Sequence, residues 1–586
     1  MVKRFLVTTP LEDTWPAADV PVLFLGEWAR LYDRKLIWEK RDSIVASYHW
    51  DDREKLHKDY LYLQALYEEL LSELTLTLNV THGVNYSIRY WRIVIGPWLG
   101  YFMQMLFDRW AMLKLVIHDY SIGCVMVIRE GGYRFVPNDM ADFESLYVTD
   151  AWNEMIYGQL LAFMTVPIKY VEAVIHRSNK PKKSCDGQIK RSLHKLVDNT
   201  LNRFVRNDEC FFISSYLPIK QALCLQFRLA QLPKFWHSTA LPKITSDTNK
   251  RKWDKIAPEN IDDFSEVVRY MIPRHIPLAY LEGYHKLLTL TEKLPWPKQP
   301  KVIFTSNSYN SDDVFKVWTA EKVEMGSKLI IGQHGGYFGM GRWCFAEDHQ
   351  LAISDRFITW GWAEPEKLKV FPVGNIKGLG KSVKCSKGGL ALLVQVVHPR
   401  YSYWMYGTPI SGQWLDYFED QYRFANALPS KHQDQLLVRL YAQDYGWCQK
   451  QRWLDRFPKI NIDDGIKSME SLIKESRLYI STYNATTYLE SMSLNIPTII
   501  FWNPKYWELR DSAVPYFEKL KSVGIFHETP ESAAKQMSVV WDDVAGWWED
   551  QAVQAVRKEF CDRYARIPEK PLKMMENLFR EVAGST

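Results

Sequence analysis

Several features that mark secreted, zinc-binding and nucleic-acid-binding proteins are scarce or absent in this chain. Its 586 residues include eight cysteines, none of them in a CxxC pair, so neither a zinc site nor a disulfide framework is predicted. The first residues, MVKRFLVTTPLEDTW, contain no apolar core of a secretory signal. A net charge of +5 is small for this length and argues against a nucleic-acid partner. These absences predict a cytoplasmic protein.

Long hydrophobic runs are also missing. The most apolar stretch, Ile93–Ile117, is interrupted by Asp108, Arg109 and Lys114. A membrane-spanning helix would have to carry these charges within its apolar span, which is costly. We therefore expect a buried or interfacial helix at this place.

Four common catalytic motifs are absent, namely the GxxxxGK[ST] P-loop, HExxH, GxSxG and DxD. Without them, a P-loop kinase, a zinc hydrolase and an α/β-hydrolase lose their usual support. The absence of DxD also argues against a donor site in which a metal ion bridges the phosphates. No metal ligand is therefore predicted.

The chain does contain an alternation of strand and helix patterns from about residue 297 onward, which is typical of α/β layers. The stretch Lys377–Gly389 is rich in lysine and glycine and separates two such layers, of which the second opens with Gly389–Val397. The candidate strands of the first layer are Lys301–Thr305, Lys328–Ile331, Phe357–Trp360 and Val370–Val373.

The stretch Leu478–Trp502 has the pattern of a βαβ unit with a hydroxyl-rich turn between the first strand and the helix. Backbone N–H groups and the helix dipole favour an anion at such a turn, and Ser481, Thr482 and Thr486 add donors. The turn predicts a phosphate site, although an ordinary N-cap turn explains the same residues.

A glycine-rich loop with one histidine follows the candidate strand Lys328–Ile331. Open α/β sheets bind ligands at the carboxyl ends of their strands. Gln333 and His334 supply side-chain donors there, while Gly335 and Gly336 let a backbone come close to a ligand. A tight glycine turn with an incidental histidine is the alternative.

Further polar groups stand at the end of the second layer's first strand and on the helix of the βαβ unit. His398-Pro399-Arg400 suits a nucleotide phosphate, with Arg400 as a bidentate clamp, or is an exposed loop. Glu490, one turn into its helix, could bridge the hydroxyls of a ribose or simply face solvent.

Acid/base candidates cannot be chosen by spacing alone. Asp312 and Asp313 precede a helix-like segment near the glycine–histidine loop, where Asp312 could equally be a helix N-cap.

The segment 177–195 carries seven lysines and arginines against one aspartate. Such a run is either a solvated loop or a patch for anionic lipid headgroups or a pyrophosphate-linked acceptor.

These motifs resemble known carbohydrate enzymes. Two α/β layers with phosphate turns in the second resemble the GT-B glycosyltransferases. His398-Pro399 followed by Ser481-Thr482 is similar to motifs of bacterial sialyltransferases and other CMP-sugar enzymes. The loop 333–336, QHGG, resembles that of bacterial capsule and Kdo transferases and, less closely, of CDP-glycerol polymer transferases. From LVTTPLEDTW to STYNATTYLESMSLNIPTIIFWNP, the chain resembles surface-carbohydrate transferases of bacterial O-antigen loci.

The resemblance implies an α/β, GT-B-like fold with two Rossmann-like domains that face a cleft. Residues 1–375 would form the acceptor-side domain, with a large helical insertion at about 50–295. Residues 388–530 would form the nucleotide-donor domain, and 531–586 would be C-terminal helices that pack back on the first domain.

The resemblance also implies a metal-independent glycosyltransferase at the inner face of the membrane. The expected donor, a co-substrate rather than a cofactor, is a CMP-linked acidic keto-sugar of the nonulosonate or Kdo type. The expected acceptor is a glycan or lipid-linked glycan of surface polysaccharide or O-antigen synthesis. A CDP-linked polyol-phosphate transferase and a non-catalytic glycan-binding protein with a degenerate GT-B fold remain alternatives.

Site residues follow from the same resemblance. His334 would lie near the transferred sugar, with Asp312 or Asp313 as base or nucleophile. In sialyltransferases an acidic pair lies upstream of His-Pro, whereas Asp463-Asp464 lies downstream here, so the identity of the base stays open. The residues implied to contact the donor are Gln333, Gly335, Gly336, His398, Arg400, Ser481, Thr482, Thr486 and Glu490.

Overall fold

The computed structural model of this chain describes residues 2–129, 135–172, 206–253 and 262–584. The basic segment 177–195, interpreted either as a solvated loop or as a patch for lipid headgroups or an acceptor, lies outside the described residues. Within the described ranges, no helix combines the length and the apolar character needed to cross a bilayer.

Strands occur along the whole described chain and fall into three groups. They are β1 (Arg4–Val7), β2 (Val22–Phe24), β3 (Ser43–Val45), β4 (Ile122–Ile128), β5 (Ile168–Val171), β6 (Phe211–Phe212), β7 (Val302–Thr305), β8 (Lys328–Gly332), β9 (Arg356–Thr359), β10 (Val370–Pro372), β11 (Leu390–Val394), β12 (Leu436–Arg439), β13 (Asn461–Asp463), β14 (Ser476–Ser481), β15 (Thr498–Phe501) and β16 (Phe526–His527).

The α-helices connect and flank these strands. They are α1 (Lys35–Trp38), α2 (Arg53–His82), α3 (Ile88–Asp119), α4 (Met140–Leu146), α5 (Asp150–Leu161), α6 (Ile219–Arg228), α7 (Phe264–His275), α8 (Tyr284–Glu292), α9 (Ser308–Ser311), α10 (Asp313–Glu324), α11 (Phe345–Ile353), α12 (Trp414–Ala427), α13 (Ser430–Gln433), α14 (Gln449–Arg456), α15 (Met469–Lys474), α16 (Thr486–Ser493), α17 (Val514–Ser522), α18 (Pro530–Val540), α19 (Val544–Glu549), α20 (Gln551–Tyr564) and α21 (Pro571–Gly584).

The strands form three sheets, whose pairs are parallel. The N-terminal sheet has the order β3-β2-β1-β4-β5, the middle sheet β10-β9-β8-β7-β6, and the C-terminal sheet β13-β12-β11-β14-β15-β16. Strands such as β7 and β15 are buried along their full length, which explains why they appear in the sequence as continuous apolar runs. The predicted α/β class is confirmed.

The strands predicted around the two layers are present as β7 to β11. The predicted βαβ unit is β14, α16 and β15, and its strands pair in parallel with Tyr479 opposite Thr498. The region 50–295, expected to be a helical insertion, also contains the strands β4, β5 and β6. The first 375 residues therefore hold two parallel sheets, while the domain boundaries stay a prediction.

The apolar helix α3 is buried along most of its length, as expected for Ile93–Ile117. It begins at the N-cap Ser87, whose hydroxyl accepts from the Tyr90 N–H. Its charges are paired inside the protein, because Arg109 Nη1 lies 2.9 Å from Asp108 Oδ2 and His49 Nε2 lies 3.0 Å from Asp108 Oδ1. Neighbouring protein rather than lipid surrounds this helix.

The carboxyl ends of β8 and β14, in the middle and C-terminal sheets, face each other, which is the GT-B-like arrangement that the family resemblance implies. The loop after β8 contacts the start of α16, directly beyond β14. The last helix, α21, returns to the middle sheet, where the Phe579 ring stacks on Phe212 with ring centroids 5.4 Å apart. The N-terminal sheet is an addition to this pair.

Candidate functional site

The loop after β8 and the turn before α16 touch across the gap between the middle and C-terminal sheets. The Gly336 N–H donates to Thr486 Oγ1 over 2.9 Å. A Cβ on Gly336 would lie 2.4 Å from the backbone carbonyl of Ala485, so only glycine permits this approach. Two motifs found separately in the sequence therefore form one place, which we call the cleft site (residues 333–336, 377 and 481–490).

The cleft site lies at the topological switch point of the C-terminal sheet. The strands β11 and β14 are neighbours in the sheet. The chain continues from β11 to β12 on one side and from β14 to β15 on the other, so the strand order reverses between them. Helix α16 starts here after Ala485, so no side chain caps its first amides. The Gly336 backbone packs against the first of them, since a Cβ on Gly336 would lie 2.7 Å from Thr486 N. Asn484 is 1% exposed, and its Nδ2 has no partner among the described residues. These donors can take an anion.

His334 projects from the β8 loop into an aromatic setting. Its ring centroid lies 5.3 Å from that of Phe338 and 6.3 Å from that of Tyr309. Burial, aided by the nearby Lys377 cation, lowers the pKa of His334 to about 4. The imidazole is therefore neutral at pH 7, and its buried Nδ1 has no partner in the part of the chain that the structure describes.

Lys377, the first residue of the predicted linker, adds a cation to the cleft site. Lys377 lies in the short 3-10 turn Ile376–Gly378, and its Nζ is 2.8 Å from Glu490 Oε1 on α16. The predicted ribose contact Glu490 is thus paired to the linker in this structure. Only the contact across the gap distinguishes Lys377 from the other linker lysines, and that contact is not visible in the sequence.

Three residues that were predicted to contact the sugar donor form hydrogen bonds within the protein instead. The Gln333 amide donates to the Gly335 carbonyl and accepts from the Trp360 N–H and Trp362 Nε1. It thereby shapes the loop rather than facing a ligand. The Ser481 and Thr482 hydroxyls are 0% and 1% exposed and donate to backbone carbonyls.

The two charged members of the His-Pro-Arg motif have separate surroundings. Tyr403 OH lies 3.0 Å from His398 Nδ1, and burial lowers the pKa of His398 to about 3. Arg400 turns the other way, toward the N-terminal part of the fold, where its Nη2 donates to Asp150 Oδ1 over 2.8 Å and its Nη1 donates to the Trp28 carbonyl. Its Nε donates to the carbonyl of Tyr445, in the loop between β12 and α14. In this structure the Arg400 guanidinium thus joins two parts of the fold, and its role as a phosphate clamp stays a prediction.

Both predicted base candidates have hydrogen-bond or ion-pair partners within the fold. Asp312 is the N-cap of α10, and its Oδ1 accepts from the Phe315 N–H and from Ser238 Oγ. Asp313 is 4% exposed and forms a buried ion pair with Lys316 over 2.6 Å. The structure does not bring Asp313 to the cleft site, because its carboxylate is enclosed by its partners.

Another carboxylate, which the sequence did not single out, is connected to the surroundings of His334 through Asn310 and Tyr309. Glu144 Oε1 accepts from Asn310 Nδ2 over 2.7 Å, and the neighbouring Tyr309 contacts the His334 ring. Burial raises the pKa of Tyr309 well above its ordinary value, and the Glu144 charge adds to this effect. Glu144 is on α4, far from His334 in sequence, so no spacing rule could have indicated it.

Comparisons with known proteins give a family and weak structural likenesses. A family model described as LIC12162 family transferase matches residues 4–579. A search of curated proteins finds no match. Among solved structures, MurG of Acinetobacter baumannii is 12% identical with a TM-score of 0.29, over 51% of this chain and 78% of that one.

The spinosyn rhamnosyltransferase SpnG, solved with spinosyn aglycone, is also 12% identical, with a TM-score of 0.28 over 51% of this chain and 77% of that one. Likenesses at this level carry no argument about the activity of this chain.

Proposed function

The chain belongs to the LIC12162 family of transferases, and from the geometry of the cleft site we propose that it is a glycosyltransferase. It would move a sugar from a nucleotide donor onto a glycan or lipid-linked glycan acceptor. The observation that carries this proposal is the contact between Gly336 and Thr486, which joins the glycine–histidine loop to the helix start at the switch point.

The donor phosphate would bind at the start of α16. The uncapped amides, Asn484 Nδ2 and Lys377 Nζ together supply neutral donors and one positive charge. Charge that builds up on the leaving phosphate is stabilised by donors that are already in place. Lys377 would exchange its Glu490 partner for the phosphate or for a carboxylate of the sugar.

The transfer step needs a base for the acceptor hydroxyl. The hydroxyl oxygen attacks the anomeric carbon, the bond from that carbon to the phosphate oxygen breaks, and its electron pair leaves with the phosphate. We assign the released proton to the Glu144 carboxylate, because Asp312 and Asp313 serve α10 and its packing. His334 would donate to the phosphate or to the sugar.

The donor class we favour is a CMP-linked acidic keto-sugar of the nonulosonate or Kdo type, used for a surface polysaccharide or O-antigen intermediate. Such a donor carries one phosphate and one carboxylate. A single helix start suits the phosphate. Lys377, whose charge helps to lower the pKa of His334, would take the carboxylate together with His334.

A thermal-shift screen with CMP, CDP and UDP tests the proposal. We expect CMP to stabilise the protein, by about 2.7 kcal/mol when its concentration is a hundredfold above its Kd. His334→Ala and Asn484→Ala should weaken CMP binding at least about tenfold, because each removes a donor of the site. His118→Ala, at a side chain 88% exposed on α3, is the control.

The same experiment separates the alternatives. A larger shift with CDP than with CMP would favour a polyol-phosphate transferase. If none of the three nucleotides stabilises the protein, the glycosyltransferase assignment is wrong and a glycan-binding role is favoured. Glu144→Gln should keep the CMP shift but lower CMP release from a CMP-linked keto-acid sugar at least about a hundredfold.

A further inference from the structure

Helix α6 presents an apolar ridge to solvent. Ile219 is 69% and Phe227 is 63% exposed, and their spacing of eight residues places them on the same helix face with Leu223 between them. Leu232 and Phe235 continue the apolar surface beyond the helix, at 47% and 42% exposure. This concentration of exposed large side chains is unusual for a surface that only contacts water.

The opposite face of α6 is well packed. Ala222 and Leu225 lie in a separate hydrophobic core with Phe304 of the middle sheet and Phe579 of α21. The ridge is therefore separate from the face that packs α6 into the core. It is an additional apolar surface on a helix that is already anchored.

A basic groove runs beside the ridge. It has a volume of about 690 Å³ and is lined by Leu379, Ile567 and Leu572 together with Arg228, Lys570 and Lys573. Glu569 is the one carboxylate among its described lining residues, and Glu576 lies beside two of the cations, 3.4 Å from Arg228 Nη1 and 3.6 Å from Lys573 Nζ. Three cations against these two carboxylates leave the groove with a small positive charge. Ile567 is 54% exposed at its rim. Apolar walls with several cations suit an amphipathic anion.

The groove lies beside the linker that supplies Lys377 to the cleft site. Leu379 and Gly380 form part of its wall, two and three residues after Lys377. Three residues span at most about 11 Å of extended chain. A molecule held in the groove is therefore a short distance from the linker turn that contacts Glu490.

We propose that α6 and the groove dock the protein on an anionic lipid surface. Ile219 and Phe227 enter the boundary between headgroups and acyl chains, and Arg228, Lys570 and Lys573 hold lipid phosphates. Charge complementarity favours this occupant over a second copy of the chain, since two identical basic grooves repel each other. The surface is built from described residues alone and does not depend on the chemistry of the cleft site.

Co-sedimentation with vesicles tests the docking surface. We expect the full chain to bind vesicles of phosphatidylglycerol and phosphatidylcholine but not of phosphatidylcholine alone, and to be released as salt rises. The double variants I219E/F227E and K570E/K573E should each bind at least about tenfold more weakly. CMP-induced stabilisation should be unchanged in both, which separates this result from failure of the cleft-site assignment.

Matched controls make the outcome specific. L368E changes an apolar side chain that is 88% exposed elsewhere, and K519E/K521E reverses two exposed lysines of α17. Both should bind vesicles like the unchanged chain. The proposal is overturned if the unchanged chain binds no anionic vesicle, if both test variants bind normally, or if added inorganic phosphate binds the groove while vesicles do not.

Discussion

At the scale of single residues, the meaning of a glycine depends on what approaches it. Gly336 and Gly388 are indistinguishable as residue types, but a Cβ on Gly336 would meet the backbone of Ala485, whereas nothing lies within 4 Å of a Cβ on Gly388. The first glycine joins two sheets and the second lies in the linker. The sequence predicted a close backbone approach at Gly336, and the structure shows that the approaching group is protein.

Gly336→Ala should therefore disturb the cleft site. The added methyl group cannot fit against the Ala485 carbonyl, so the loop or α16 must shift, at a cost of about 1–3 kcal/mol in the free energy of unfolding. CMP binding should weaken as well, because the same shift misplaces the α16 amides. Urea denaturation measures the first effect and calorimetry the second.

Gly388→Ala is the matched control for that change. It should alter the unfolding free energy by less than about 1 kcal/mol, because its Cβ points into open space. Equal effects of the two substitutions would contradict the role of Gly336.

Side chains of neighbouring residues also point to different partners. His398 and Arg400 are two residues apart, yet Arg400 turns away to Asp150 on α5 and His398 packs beside Tyr403. Asp312 and Asp313 likewise point to different partners. Residue type and spacing identified these positions as noteworthy, but the partner that each side chain finds was outside the reach of the sequence.

At the scale of elements, α3 shows how an apolar, buried helix can contain charged side chains. Asp108 is 2% exposed and is held by Arg109, His49 and Tyr48, with Tyr48 OH 2.6 Å from its Oδ1. The helix is apolar nearly all around because it lies among other helices and sheets. In the sequence, these charges argue against a membrane-spanning helix. In the structure, the pairing of Asp108 and Arg109 explains how the core tolerates them.

Asp108→Ala should strongly destabilise the protein. The substitution leaves the buried Arg109 guanidinium without its carboxylate, and breaking a buried ion pair from one side costs about 3–5 kcal/mol. Asp119→Ala, at the exposed end of the same helix, should change the unfolding free energy by less than about 0.5 kcal/mol. Thermal and urea unfolding of both variants check this; similar midpoints would argue against a buried pair.

At the scale of the whole molecule, buried histidines set the response to acid. Burial lowers the pKa of five histidines to about 3 or 4, which are His82, His275, His334, His349 and His398. Because these values lie below the unfolded value near 6.5, the histidines stabilise the fold above that pH, and the stability is lost as pH falls toward 4. Asp348 and Asp420 act in the opposite direction, since burial raises the pKa of each carboxyl to about 6.

The melting temperature should therefore fall between pH 7 and pH 5. Each buried histidine contributes a loss of up to roughly 2 kcal/mol at pH 5, and five such groups outweigh the two carboxyls. The carboxylates with lowered pKa act mainly below this window. Calorimetric scans at constant ionic strength test the prediction, and a melting temperature that is unchanged or higher at pH 5 would contradict it.

The amino-acid sequence by itself determined the α/β class, the βαβ unit around Leu478–Trp502 and the buried nature of α3. These follow from local patterns, since apolar runs, glycines and caps act over a few residues. It also marked the two loops that meet at the cleft site, because strand ends and glycine loops are local signals.

Only the tertiary structure decided which of the marked residues meet. It placed Gly336 on Thr486, brought Lys377 to Glu490 and turned Arg400 toward the N-terminal part of the fold. It also separated the first 375 residues into two sheets. The physical reason is that these contacts join residues up to hundreds of positions apart, and packing of whole layers, rather than any local preference, selects them.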